Sequence, residues 1–95
     1  MPRIHWCGAG LSAVPGIRRL IERSHTVTVW NRTLEKAKEA TVGLKGDFDT
    51  RVFDMEALKT ALMPGDLAVS MLPGDFHVPV AKICLDAGAH FISSS

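Results

Sequence analysis

The stretch Ile4-His5-Trp6-Cys7-Gly8-Ala9-Gly10-Leu11-Ser12-Ala13 decides how this sequence folds. A short apolar segment meets a Gly-x-Gly-x-x-Ala turn, and apolar residues at helical spacing follow at once. In such a turn the first glycine allows a tight bend, the second lets the backbone approach a pyrophosphate, and the small last residue lets the helix lie close to the strand. The order predicts a dinucleotide-binding βαβ unit whose phosphate-binding end is formed by Gly8, Gly10, Leu11, Ser12 and Ala13.

The composition describes an ordinary globular chain of 95 residues, the length of one small domain. Hydrophobic residues make up 46% and charged residues 22%, which is enough apolar material for a single core. A net charge of +1 gives no broad field for nucleic acid or an anionic membrane, and no apolar run approaches the ~20 residues of a membrane span. Cys7 and Cys84 fall in predicted core segments, which predicts free thiols in a cytoplasmic protein.

Short apolar segments alternate with amphipathic ones, the pattern of parallel strands joined by crossover helices. Strands are predicted over 4–7, 26–30, 51–53, 67–72 and 89–93, with a loop over 41–50. Right-handed crossovers give the strand order 3-2-1-4-5, so the predicted fold class is α/β, a doubly wound parallel sheet of the Rossmann type. We expect residues 1–95 to form one NAD(P)-binding domain, the N-terminal part of a longer enzyme, because the sequence ends directly after the fifth strand.

Helix boundaries follow from a few punctuating residues. The first helix is predicted to bury Leu11, Val14, Ile17, Leu20 and Ile21. Pro15 removes a backbone donor near its start, which predicts a late start or a slight bend. Thr33 and Asp54 are predicted N-caps of the second and third helices, and Gly88 is predicted to end the fourth.

The three residues after the second strand, Asn31-Arg32-Thr33, indicate which cofactor the site accepts. NAD-selective sites carry an acidic residue there that binds the adenosine ribose. Asn31 has no charge to repel a 2′-phosphate, and the planar guanidinium of Arg32 can clamp that phosphate or stack on adenine. Thr33 offers a hydroxyl, and Lys36 lies one turn further on. These residues favour NADP, although a solvated Arg32 and a purely capping Thr33 are an alternative interpretation.

Several segments resemble the N-terminal domain of the saccharopine dehydrogenase family, especially its NADP-dependent saccharopine reductases. Gly8-Ala9-Gly10-Leu11-Ser12-Ala13-Val14-Pro15 is similar to that family's Gly-x-Gly-x-x-Ala-x-Pro. Arg32-Thr33-Leu34-Glu35-Lys36-Ala37 resembles its segment after strand two, and Ser70-Met71-Leu72-Pro73 with Phe76-His77 resembles its Leu-Pro-x-x-x-His stretch. The closing segment 90–95 resembles the fifth strand and the start of a Ser/Thr-rich loop.

The resemblance implies a domain that binds NADP for oxidation or reduction at a carbon–nitrogen bond of an amino-acid-type substrate. The family's substrate domain lies C-terminal to this region, so the chain by itself is expected to lack what turnover needs. The resemblance also favours a backbone from Ser70 to Pro73, which includes Leu72, that lines the nicotinamide side of the crevice. A strand followed by a simple Pro-Gly turn is the alternative interpretation. A homodimer is left open.

The remaining polar residues give weaker signals. Asp54 is a candidate contact for adenine as well as a helix cap, and His77 a candidate polar contact without a catalytic role. Ser93 and Ser94 are candidate contacts for the nicotinamide ribose. No residue is assigned a catalytic role, and the scattered histidines have no metal-ligand spacing.

Two other functions fit the same architecture. A nucleotide-sensing regulatory module would use this fold without catalysis and would be expected to prefer NAD or ATP. A shikimate dehydrogenase-like enzyme would share a segment such as Asn31-Arg32-Thr33, but its glycine turn would not be expected to carry Pro15.

Overall fold

A computed structural model describes residues 2–93 of the chain. The strands are β1 (Ile4–Cys7), β2 (Val27–Asn31), β3 (Phe48–Val52), β4 (Leu67–Ser70) and β5 (His90–Ser93). The helices are α1 (Val14–Glu22), α2 (Leu34–Ala40), α3 (Met55–Ala61) and α4 (His77–Ala87), and a single 3₁₀ turn, Gly74–Phe76, precedes α4.

The five strands form one sheet in the order β3-β2-β1-β4-β5, and every pair is parallel. The predicted fold class and strand order are confirmed. Cys7 at the end of β1 is level with Trp30 in β2 and Ser70 in β4, so these central strands end at one edge of the sheet. From β1 the chain continues to β2 on one side, and it later crosses to β4 on the other. The switch point between β1 and β4, where ligands of such sheets bind, therefore lies at this edge.

Two apolar clusters cover the faces of the sheet. One joins strand residues to α3 and α4 and includes Trp30, Leu58, Val80 and Cys84. The other joins the sheet to α1 and α2 and includes Ala13, Ile17, Ile21, Val27, Val29 and Ala37. Both cysteines are buried free thiols, as predicted. Burial raises the pKa of Cys7 to about 12, which makes its thiol unreactive near neutral pH.

The helix predictions hold with two exceptions: Leu11 is not buried, and the Thr33 side chain makes no capping bond to α2. Helix α1 begins at Val14 with Pro15 in its first turn, where a missing N–H is tolerated, so the late start is confirmed. Leu11 is not part of the buried face as predicted: it precedes the helix and is 95% exposed. The Asp54 cap is confirmed, since its carboxylate accepts a hydrogen bond from the Ala57 N–H at 2.9 Å. Gly88 ends α4 in a left-handed conformation, also as predicted.

Two strand boundaries differ from the prediction by more than one residue. Strand β3 begins at Phe48 rather than at Arg51, because Phe48 pairs with Val27 and joins the core while Asp49 accepts a hydrogen bond from Thr28. An edge strand with alternating polar residues looks like a loop in sequence. Strand β4 ends at Ser70 rather than at Leu72, because the chain bends there and the Leu72 side chain enters the core. Among residues 2–93, no helix is both long and apolar enough to cross a bilayer.

Candidate dinucleotide-binding site

The predicted site residues come together at the carboxyl ends of β1, β2 and β4. The glycine turn follows β1, the Asn31–Thr33 segment follows β2, and Met71 to Pro73 follow β4. Backbone hydrogen bonds hold this arrangement, from the Gly8 N–H to the Trp30 carbonyl at 2.7 Å and from the Met71 N–H to the Cys7 carbonyl at 2.8 Å. The three segments thus meet at the switch point.

Gly8 is required by the fold of the turn itself. Its φ of +101° lies in the region that side-chain-bearing residues rarely adopt. An added Cβ would also lie 3.0 Å from the carbonyl carbon of Met71 and 3.1 Å from its oxygen. The glycine therefore permits both the bend after β1 and the close approach of the segment that follows β4.

Gly10 is under no such constraint from its surroundings. A Cβ added there would meet no other atom within 4 Å, and its φ is not positive. Within residues 2–93 the backbone N–H groups of Gly10, Leu11 and Ser12 have no hydrogen-bond partner. Open space beside three consecutive free donors is what a pyrophosphate at this turn would need.

Ala13 joins the turn to the helix. It is 1% exposed, belongs to the apolar cluster beneath α1, and donates its N–H to the Gly10 carbonyl at 2.9 Å. A larger side chain would push α1 away from the sheet. The packing role predicted for the small residue is confirmed.

Asn31 connects the glycine turn with the segment after β2. Its Oδ1 accepts a hydrogen bond from the Ala9 N–H at 3.0 Å. Its Nδ2 donates to the Thr33 carbonyl at 3.0 Å and to the Thr33 hydroxyl at 3.2 Å. Thr33 occupies the N-cap position of α2, but its side chain makes no capping bond to the helix, which the sequence had predicted. Sequence reasoning treated Asn31 only as an uncharged residue and missed this bridge.

A cleft lies between the glycine turn and α2. Its volume is about 260 Å³, and it is lined by Ala9, Gly10, Leu11, Val14, Lys36, Glu39 and Ala40. Pockets for whole drug-sized ligands run from roughly 300 to 1,000 Å³, so this cleft has room for only part of a dinucleotide. The Lys36 side chain brings a cation to it, and exposed Arg32 precedes α2 without a hydrogen bond or ion pair among the described residues.

The segment after β4 lies on the other side of the glycine turn from the segment after β2. The Leu72 side chain is buried in the core, so only its backbone can face a ligand, while Pro73 is exposed. Nearby, His77 at the start of α4 forms a hydrogen bond between its Nδ1 and the Oγ of buried Ser70 at 3.0 Å. This bond fixes the start of α4 against the end of β4.

Asp54 follows β3 at the same edge of the sheet. One of its carboxylate oxygens is engaged as the α3 cap, and the neighbouring Phe53 N–H binds the Asn31 carbonyl at 2.6 Å. Its contact with adenine stays a prediction. Ser93 ends β5, and Ser94 lies outside the described residues.

A larger cleft, of about 450 Å³, lies at the opposite edge and is lined in part by Arg3 and Asp66. Ligands of open parallel sheets bind at the carboxyl ends of the strands, which this cleft does not adjoin. Its carboxylate is also already paired: Asp66 accepts hydrogen bonds from the backbone N–H groups of Arg3 and Met63 and from buried His5. Volume alone therefore does not mark the functional site. Among residues 2–93, no group of three or more His, Cys, Asp or Glu residues is placed to bind a metal ion.

The parallel sheet, the glycine turn after β1 and the open space at Gly10 together define a dinucleotide-binding domain of the Rossmann class. Residues 4–95 match the protein family described as saccharopine dehydrogenase NADP binding domain. The chain therefore belongs to this family, and its cofactor is NADP. An uncharged Asn31 and the cations of Arg32 and Lys36 fit a cofactor that carries an additional phosphate.

Individual relatives agree with this assignment. The chain is 33% identical over 98 residues to a saccharopine dehydrogenase (NADP(+), L-glutamate-forming) of Schizosaccharomyces pombe. This alignment covers 100% of this chain and 22% of that protein. It is 31% identical over 90 residues to the protein of the same name from Pyricularia oryzae, covering 93% of this chain and 20% of that protein. The structure of a saccharopine dehydrogenase (L-Glu forming) from Saccharomyces cerevisiae superposes with a TM-score of 0.85 at 26% identity, covering 100% of this chain and 22% of that one. The chain thus spans about a fifth of the length of these relatives.

Proposed function

We propose that this domain holds NADP(H) for an oxidoreductase that acts on the CH–NH group of an amino-acid-type substrate. The names of both curated relatives describe NADP-dependent saccharopine dehydrogenases, which favours an enzyme over a sensing module. The bound cofactor would supply the hydride chemistry. Residues 1–95 would be the N-terminal domain, with the substrate held by sequence that follows. A cytoplasmic location and a homodimer stay predictions.

The residues of this domain would bind and orient the cofactor. Gly8, Gly10, Leu11, Ser12 and Ala13 would form the pyrophosphate end, with the free N–H groups of the turn as donors. Arg32, with Asn31 and Thr33, would form the 2′-phosphate end. Asp54 would border adenine, and the backbone of Leu72 and Pro73 would border nicotinamide. The observation that carries the proposal is the open space at Gly10 beside unpaired backbone donors, because no residue among 2–93 fills that space or accepts from those donors.

Arg32→Ala tests the 2′-phosphate end. Loss of a charge-assisted hydrogen bond predicts that NADPH binds about 10- to 100-fold more weakly, while NADH binding changes little. Titration calorimetry of the 95-residue chain with NADPH and NADH measures both dissociation constants. Lys38→Ala is the matched control, because it removes the same charge from an exposed position on α2 that does not line the cleft. An unchanged ratio of the two constants in Arg32→Ala would contradict the assignment of Arg32.

A further inference from the structure

Asn31 has a hydrogen-bonding requirement that its position in the sequence does not reveal. On one side it must accept a bond, from the Ala9 N–H; on the other it must donate, to the Thr33 carbonyl. A side-chain amide supplies both functions from one group. An Asp of the same shape would place two acceptors there and turn one of them toward the Thr33 carbonyl, and a Leu would supply neither function.

The bonds of Asn31 reach both ends of the proposed site. Ala9 lies between the two glycines of the turn, and Thr33 follows Arg32 directly. The Asn31 backbone is fixed as well, since β2 pairs it with Val52 and its carbonyl accepts the Phe53 N–H at 2.6 Å. The amide therefore ties a rigid strand end to the glycine turn and to the carbonyl one residue beyond Arg32. Arg32 itself has no partner among the described residues, so these bonds to its neighbours are what hold its backbone in place.

We propose that Asn31 is a positioning residue for NADP selectivity, which holds the backbone of Arg32 at a fixed place relative to the glycine turn and acts through Arg32 rather than by touching the 2′-phosphate. The inference rests on the proposed role of Arg32 and adds a specificity-determining residue to it. The Asn31 Nδ2 already donates to the Thr33 carbonyl and to the Thr33 hydroxyl, so the side-chain amide is engaged by the protein and not by a ligand. Preorganisation of this kind raises affinity by lowering the entropy lost when the ligand binds.

A double-mutant cycle with Arg32→Ala separates this role from a direct contact. Asn31→Leu keeps the side-chain size and removes all three bonds, so NADPH should bind about tenfold more weakly, with a smaller loss for NADH. In an Arg32→Ala background, Asn31→Leu should leave the ratio of the NADPH and NADH dissociation constants nearly unchanged. Thr33→Ala removes only the hydroxyl acceptor and should shift the ratio in the same direction by a smaller factor.

Thr41→Val is the structural control. The Thr41 hydroxyl binds the carbonyls of Ala37 and Lys38 at the other end of α2, so its loss should loosen that helix without changing the ratio. The positioning role would be overturned if Asn31→Leu weakened the binding of NADPH and NADH equally. It would also be overturned if Asn31→Leu and Arg32→Ala changed the ratio of the two dissociation constants independently of each other. If Asn31→Leu shows no cooperative melting, Thr33→Ala replaces it in the double-mutant cycle with Arg32→Ala and tests the positioning role. An Arg32→Ala chain with the wild-type ratio would overturn the proposed function as well, which distinguishes the two failures.

Discussion

Two glycines of the same turn answer to different physical constraints. Gly8 is held by the protein, through a positive φ and the nearby Met71 carbonyl. Gly10 has open space around it, so any need for a missing side chain there must come from a ligand. Substitution of each residue by alanine therefore separates folding from binding.

Gly10→Ala is expected to leave the stability of the chain unchanged or to raise it slightly. Alanine lowers the conformational entropy of the unfolded chain, which stabilises the folded state by about 0.4–1 kcal/mol. The same methyl group should block the approach of the pyrophosphate and weaken NADPH and NADH alike by about tenfold or more. Gly8→Ala should instead destabilise the fold by about 1–3 kcal/mol. Urea unfolding and calorimetry measure the two effects. Full-strength cofactor binding by Gly10→Ala would contradict the placement of the pyrophosphate.

Helix α1 lies on the sheet at a distance that its own sequence sets. Ala13 and Ile17 are buried beneath it, and Gly16 lies over the indole of Trp6, which is in the middle of β1. An added Cβ at Gly16 would lie 2.7 Å from Cη2 of Trp6. The N-terminus of α1 follows the glycine turn, so this packing also fixes the position of the proposed phosphate-binding turn relative to the sheet.

The Gly16→Ala variant is expected to reverse the usual effect of this substitution. In an exposed helix alanine is favoured over glycine by roughly 0.5–1 kcal/mol. Overpacking against a rigid indole costs about 1–3 kcal/mol, so the steric cost should outweigh the helical preference and lower the free energy of unfolding. Gly74→Ala is the matched control, because an added Cβ there meets nothing within 4 Å. Urea denaturation measures the free energy of unfolding of both variants. A Gly16→Ala chain that is more stable than the parent would show that the Trp6 side chain moves aside at little cost.

A polar network crosses the strands from Trp30, near the carboxyl edge of the sheet, to Asp66 at the amino edge. The Trp30 indole N–H donates to Nδ1 of His5, so the ring proton of His5 is on Nε2 and is donated to Asp66 at 3.1 Å. Arg3 donates to Thr28 at 2.9 Å and lies 3.6 Å from Asp49. Burial lowers the pKa of His5 despite the neighbouring Asp66 carboxylate. Burial alone would raise the pKa of Asp66, but bonds from the Arg3 and Met63 N–H groups and from His5 outweigh it and lower the pKa.

Both shifts predict a fold that loses stability on acidification. The unfolded chain protonates His5 near pH 6.5, whereas the folded chain resists it, so stability is full above that pH and falls as the pH drops below it. Asp66 adds a second loss as the pH falls below about 3.8 toward its lowered pKa. His5→Gln retains a donor for Asp66 but does not titrate. Urea unfolding between pH 7.5 and 5 should show that the free energy of unfolding of the parent falls toward that of the variant. If the free energies of the two chains changed in parallel with pH, the role of His5 would be contradicted.

The order of elements, the strand topology and the site edge could be predicted from the sequence, because they depend on local signals. The Gly8–Ala13 turn, Pro15 and the apolar runs each act within a few residues. The start of β3 and the end of β4 could not be predicted in this way. Phe48 is part of a strand only because Val27 pairs with it, and Leu72 leaves β4 only because the core on that side accepts its side chain.

Local sequence signals were sufficient to predict the class of fold, the cofactor and the segments that meet at the carboxyl edge of the sheet. How those segments hold one another depends on contacts that form only in the folded chain. The tertiary structure shows that Gly8 is required by the fold and that Gly10 is not. It also shows that Asn31 bridges two segments and that Leu11 is exposed before the start of α1. The physical reason is that backbone conformation and side-chain period act locally, whereas hydrogen-bond partners and close approaches join residues far apart in the chain, such as Ala9 with Asn31.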